Sequence, residues 1–153
     1  MTSVLAAHRP TDWNFPLFLH VFGAMILVGG LLAGASLITY ARGDVRSLRL
    51  GYWSLLFVAF PGYIVMRIGA QWIYSKEGWE DLPGGDPTWI GIGFIVADVG
   101  ALLTLIALIL GGIGVRRTRS GGGAGLLKAA MVVAWIVLAA ALVAVWAMAG
   151  KPD

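Results

Sequence analysis

The sequence predicts an all-α polytopic membrane protein: a four-transmembrane-helix bundle, one membrane domain over residues 1–153, with both termini outside. Three observations predict it. Hydrophobic residues make up 59% of the chain and charged residues 12%, with a mean hydropathy of +0.84. A soluble domain has roughly 45–50% apolar and about 25% charged residues. Four stretches each reach the ~20 mostly apolar residues that a helix needs to cross a bilayer. The segments between them alternate in charge, as inner and outer loops do.

The first span runs from about Phe15 to Ala41 and the second from about Gly51 to Tyr74. The third covers about Trp89 to Val115, and the fourth about Ala129 to Ala149. The apolar run of the first span is too long for a signal peptide, and Arg9 is the only basic residue before it, so it reads as a retained helix. Arg42, Arg46 and Arg49 follow the first span; Arg116, Arg117, Arg119 and Lys128 follow the third. Those two connections hold seven of the eleven basic residues, which makes them cytoplasmic by the positive-inside rule. The connection between spans two and three carries Glu77, Glu80, Asp81 and Asp86 against Lys76 and faces outward. Trp13, Trp72, Trp89 and Trp146 are expected at the outer interface, with Tyr40, Tyr52 and Trp53 at the inner one. This places the chain in a cell membrane as a multi-pass protein, with the lipid bilayer as its first partner.

Small residues supply the packing surfaces. Gly30 and Gly34 form a small-xxx-small pair beside Gly23 and Gly29; Ala130 with Ala134 and Ala140 with Ala144 do the same on the fourth span. Gly93, Ala97 and Gly100 give the third span a groove near Asp98.

Three ionisable residues interrupt the apolar spans: His20, Arg67 and Asp98. Such groups are costly in hydrocarbon and rarely sit there without a partner or a task. At 1.5 Å of rise per residue, His20 lies roughly 8 Å, Arg67 roughly 10 Å and Asp98 roughly 14 Å below the outer surface. Tyr63, Arg67, Gln71 and Tyr74 recur at helical spacing and form one polar stripe. Pro61, with Gly62, is expected to kink the helix below that stripe and widen the space above it. An outward-facing pocket of His20, Tyr63, Arg67, Gln71 and Asp98 follows as the candidate ligand-binding site.

Two readings of Arg67 and Asp98 stay open. They form a structural ion pair that sets helix register, or Arg67 binds an acidic or carbonyl group that Asp98 helps to position. A quinone head group, a haem propionate or a small carboxylate would suit the second reading. His20 hydrogen-bonds a neighbour such as Asp98, or ligates haem iron or copper. Met25 and Met66 lie near it in sequence or depth, and His8 in the outer tail is the only other histidine.

Other chemistry is excluded more firmly. With no cysteine there is no disulfide and no thiolate metal site. No phosphate-binding glycine loop, metalloprotease helix or nucleophile triad is present, and nothing indicates a nucleic-acid surface. The inner half offers only Ser36, Thr39, Ser54 and Thr104, too little for a proton relay or an ion channel. A binding or accessory protein, alone, as a homo-oligomer or within a larger respiratory or transport complex, is the first expectation. A haem-dependent redox enzyme and an oligomeric transporter of small solutes or metal are the alternatives.

The run Leu19-His20-Val21-Phe22-Gly23-Ala24, followed by Gly29-Gly30, resembles the opening of a group of small bacterial integral membrane proteins. Those uncharacterised four-helix proteins begin with a Leu-His-x-x-Gly-Ala helix. More distantly the run is similar to copper-resistance D-type membrane proteins and to the bacterial membrane protoporphyrinogen oxidase. The ending Met148-Ala149-Gly150-Lys151-Pro152 resembles the Lys-Pro close of their last helix. The resemblance implies a bacterial inner membrane. The oxidase likeness implies haem binding by His20, and the copper-resistance likeness implies a metal-binding or transport role for it.

Overall fold

The helical rod that contains the second apolar span is bounded by an N-terminal cap at Asp44 and a glycine at position 78, and it outruns the apolar stretch itself. A computed structural model describes residues 11–81, 83 and 85–151. Helix α1 spans Asn14–Thr39 and α2 spans Val45–Ser54; a wide π-turn, Leu55–Ala59, joins α2 to α3, Phe60–Glu77. Helix α4 spans Thr88–Arg117 and α5 spans Ala124–Gly150. The second apolar span thus sits inside a continuous helical rod that begins about two turns earlier. Asp44 starts that rod by accepting hydrogen bonds from the backbone N–H groups of Arg46 and Ser47. The hydroxyl and N–H of Ser47 hold the Asp44 carboxyl below its ordinary pKa. Gly78 ends the rod in the left-handed conformation, at φ 72°.

Among the described residues, four helical stretches are long and apolar enough to cross a membrane: Thr11–Thr39, Val45–Glu77, Thr88–Ser120 and Ala124–Gly150. They pack as an antiparallel bundle with two chemically distinct ends. The acidic end carries the start of α1, the 78–87 connection and the end of α5. Lys76 pairs with Asp12 there at 3.1 Å, and Lys151 lies over the Trp89 ring. The basic end carries the two short connections, where Arg49 donates to the Thr118 hydroxyl at 2.9 and 3.0 Å.

Pro61 explains the π-turn. It offers no N–H, and its ring would strike the carbonyl four residues back, that of Phe57. The chain widens by one residue just before it, and the Phe60 N–H reaches the Leu55 carbonyl. The rod is carried through the proline by this turn, and the turn sets Leu55 and Ala59 into the core.

The most intimate contact is α1 against the α2–α3 rod, and glycines make it possible. A methyl added at Gly30 would stand 2.5 Å from the Ala59 nitrogen, and one at Gly62 would stand 2.6 Å from the Leu27 nitrogen. At Gly23 and Gly69 it would run into the backbones of Met66 and His20. Gly34 meets Leu55, and the Ser54 hydroxyl donates to the Gly30 carbonyl at 3.0 Å. Gly29, of the same expected set, faces open space. Helix α5 packs on α1 and on α4, and Trp135 Nε1 donates to the Thr39 hydroxyl at 3.1 Å.

The ring of helices therefore runs from the α2–α3 rod to α1, α5 and α4. It closes only at the basic end, where Tyr52 packs on Gly111 of α4. Tyr52, expected at the inner membrane interface, is only 8% exposed at this end, because two glycines on α4 leave room for its ring. The buried cluster is concentrated here: Leu31, Ile38, Leu48, Leu55, Leu108 and Leu127 all belong to it. Between α3 and α4 toward the acidic end the helices scarcely touch.

Gly30→Ala and Gly29→Ala test the packing as a pair. Gly30→Ala should cost about 1–3 kcal/mol through overpacking against backbone that cannot yield. Gly29→Ala should be neutral or slightly stabilising, since alanine favours helix. Unfolding of both variants in the same detergent reads the difference.

Candidate functional site

The α3–α4 seam is bridged by side chains where the backbones stand apart. Arg67 projects from α3 and Asp98 from α4, with Nη2 to Oδ1 at 3.4 Å. Arg67 Nη1 also donates to Gln71 Oε1 at 3.4 Å, one turn along the same helix. Its guanidinium carbon lies 4.8 Å from the centre of the Phe94 ring, within cation–π range. Phe94 precedes Asp98 by four residues, so the two share a face of α4 and hold Arg67 from beneath and beside. Tyr63, one turn below Arg67, is within electrostatic reach of both charges.

Further bridges continue toward the acidic end. Tyr74 stacks edge-on against Phe94, and its hydroxyl donates to Asp86 at 2.8 Å. Trp79 and Trp89 meet edge-to-face, 5.5 Å between centres. Tyr74 belongs to the stripe read from the sequence, whereas Phe94, Trp79 and Trp89 were not among the candidate site residues. The four-residue interval from Phe94 to Asp98 is the signal that places them together.

The geometry of the ion pair is loose. Charge-assisted N–H···O bonds are usually about 2.7–2.9 Å, and the strong Arg–carboxylate form is bidentate. Here a single nitrogen meets a single oxygen at 3.4 Å, and the side chains are 29% and 65% exposed for Arg67 and Asp98. Among the described residues Asp98 Oδ2 has no hydrogen-bond partner. Asp98 also lies on the same outward stripe as Ile95, Val99 and Leu102. The expected pocket is thus an open seam, and neither of the two cavities described for the bundle reaches Arg67.

His20 stands apart from this group. Its Nδ1 lies 3.2 Å from the Met66 carbonyl oxygen, across the α1–α3 contact. The expected partner Asp98 is not the one it has, because the close approach at Gly69 and Gly23 sets His20 against α3 backbone. A carbonyl only accepts, so this bond puts a hydrogen on Nδ1, which in the neutral tautomer leaves Nε2 as the acceptor. A metal-ligating histidine is oriented by the same kind of bond, so His20 is the residue that could hold a haem iron or another metal through Nε2. Among the described residues no three His, Cys, Asp or Glu side chains gather as a metal site. His8 lies outside the described residues.

Comparison with family models, with curated proteins and with solved structures finds no match for this chain.

If the pair is loose, a double-mutant cycle of Arg67→Gln and Asp98→Asn should give a coupling near the ~0.6 kcal/mol average of intramembrane polar pairs. A coupling of about 3 kcal/mol or more, read from unfolding in detergent, would mark a structural lock instead.

Proposed function

We propose that this is a multi-pass cell-membrane protein, termini outward, whose α3–α4 seam binds the carbonyl or carboxylate head group of a membrane-soluble ligand. It acts as a binding or accessory protein. The positive-inside distribution of arginine supports the orientation, and the bacterial inner membrane is the setting that the resemblance implies. One observation carries the ligand reading: Arg67 stands 3.4 Å from both Gln71 Oε1 and Asp98 Oδ1, on a seam open toward the faces that would meet lipid.

An acceptor oxygen entering that seam could take over donors that Asp98 and Gln71 engage only weakly. Phe94 would keep the guanidinium plane in place while partners exchange. Gln71 and Tyr63 would add donors at neighbouring levels, and the open Oδ2 of Asp98 could accept from a hydroxyl on the ligand. A tail would lie along Ile95, Val99 and Leu102. Recognition of this kind needs no enclosed cavity, since lipid covers the remainder of an amphiphile.

Quenching of tryptophan fluorescence in lipid nanodiscs tests the reading, because Trp72, Trp79 and Trp89 lie toward the same end as the site. The probes are a benzoquinone with a short alkyl tail and a fatty acid of matched tail length. Saturable binding of one probe should weaken about tenfold or more in Arg67→Gln, equivalent to at least ~1.4 kcal/mol. It should survive in Lys76→Gln, whose cation lies outside the seam. Unchanged binding in Arg67→Gln would overturn the reading.

The bond from His20 Nδ1 to Met66, with Nε2 left as acceptor, favours a second reading, a haem-dependent redox enzyme. A Soret band in gently purified protein, lost in His20→Ala, would support it. A featureless visible spectrum from haem-replete cells would end it.

A further inference from the structure

At the opposite end of the bundle a groove of about 570 Å³ runs between α2 with its π-turn and α4. Trp53 and Leu56 form one wall, Ile109 and Ile113 the other, and Tyr52 lies at its floor. Gly112 adds no side chain there, so the Tyr52 hydroxyl approaches α4 backbone and the groove keeps its depth. Arg116 and Arg119 line the mouth.

The charge around that mouth is unbalanced. No acid occurs between Asp98 and Asp153, and Asp44 is the only acid between Asp12 and Glu77. Asp44 is already engaged in capping α2 through Ser47 and Arg46. Arg49 is turned to Thr118. Among the described residues Arg116 and Arg119 make no ion pair, so an anion at this mouth has to come from outside the chain. The apolar walls and the paired cations call for one molecule with both properties. Basic grooves between helices on the cytoplasmic side are the usual places for anionic lipid head groups.

We propose that this groove is a binding site for an anionic phospholipid, with the phosphate at Arg116 and Arg119 and an acyl chain between Trp53 and Ile109. The site rests on the membrane reading of the chain and is independent of the ligand at Arg67. It would fix α2 to α4 at the one end where the helix ring closes.

Native mass spectrometry of the detergent-purified full chain tests it, with phosphatidylglycerol and phosphatidylcholine of identical acyl chains. Phosphatidylglycerol should be retained in preference, and that preference should fall about fivefold for each of Arg116→Gln and Arg119→Gln. Ile113→Trp, which adds bulk to an exposed wall position, should lower retention of phosphatidylglycerol with both arginines in place. Lys128→Gln, at the same end but outside the groove, should change nothing. Circular dichroism confirms that each variant is folded. Equal retention of the two lipids, or an equal loss in Lys128→Gln, would overturn the proposal. Full displacement of the lipid by glycerophosphate would overturn it too, since it would reduce the site to a surface anion site.

Discussion

The contact on which the rest of this structure depends is backbone against backbone, between α1 and the α2–α3 rod. Helices that associate in lipid gain nothing from hiding apolar side chains from water and rely on close van der Waals approach and a few hydrogen bonds. Gly23, Gly30, Gly62 and Gly69 provide that approach over the length of the pair, and Ser54 adds a bond to a main-chain carbonyl. The same contact orients His20 by setting it against the Met66 carbonyl.

Committing one face of α3 to α1 has a consequence on its other side. Helix α4 packs on α5 and joins α2 at the basic end, where Tyr52 enters the space over Gly111. Toward the acidic end no comparable pair of small faces brings α3 to α4. What spans the gap is Arg67, Phe94 and Tyr74, all long or aromatic, with the Arg67 side chain reaching across to Asp98. A polar seam at that place is therefore what remains when the glycines have gone to the α1 side. Thr104 lies between the two regimes: its buried hydroxyl has no partner among the described residues, and the residue lines a small apolar cavity with Leu31, Leu55 and Val137.

Much of this was legible in the residues. Hydropathy located four spans, and helical spacing placed Tyr63, Arg67 and Gln71 on one stripe of α3. The Arg67–Asp98 contact was foreseeable from depth alone, since each charge lies partway along an apolar segment running in the opposite sense. Other features were not legible. Hydropathy carries no signal for where a helix starts, so the cap at Asp44 extended the rod beyond its apolar part. The burial of Tyr52 was not legible either, since only the glycines of a helix distant in sequence make room for its ring. His20 could have met several partners at its depth; which one it meets depends on the interhelical distance at Gly69, which no spacing encodes. Openness of the seam depends likewise on which pairs of helices win the close contacts.

The claim that α3 and α4 part toward the acidic end, leaving Asp98 outward, can be tested directly. The chain has no cysteine, so single cysteines placed in turn along 91–105 of α4 can carry spin labels in lipid vesicles. Collision with dissolved oxygen, which concentrates in the bilayer, should be as frequent at position 98 as at 95 and 102. It should be low at 100 and 104, which face the bundle. Protection of position 98 to the level of position 100 would mean that the seam is closed, and would contradict this account.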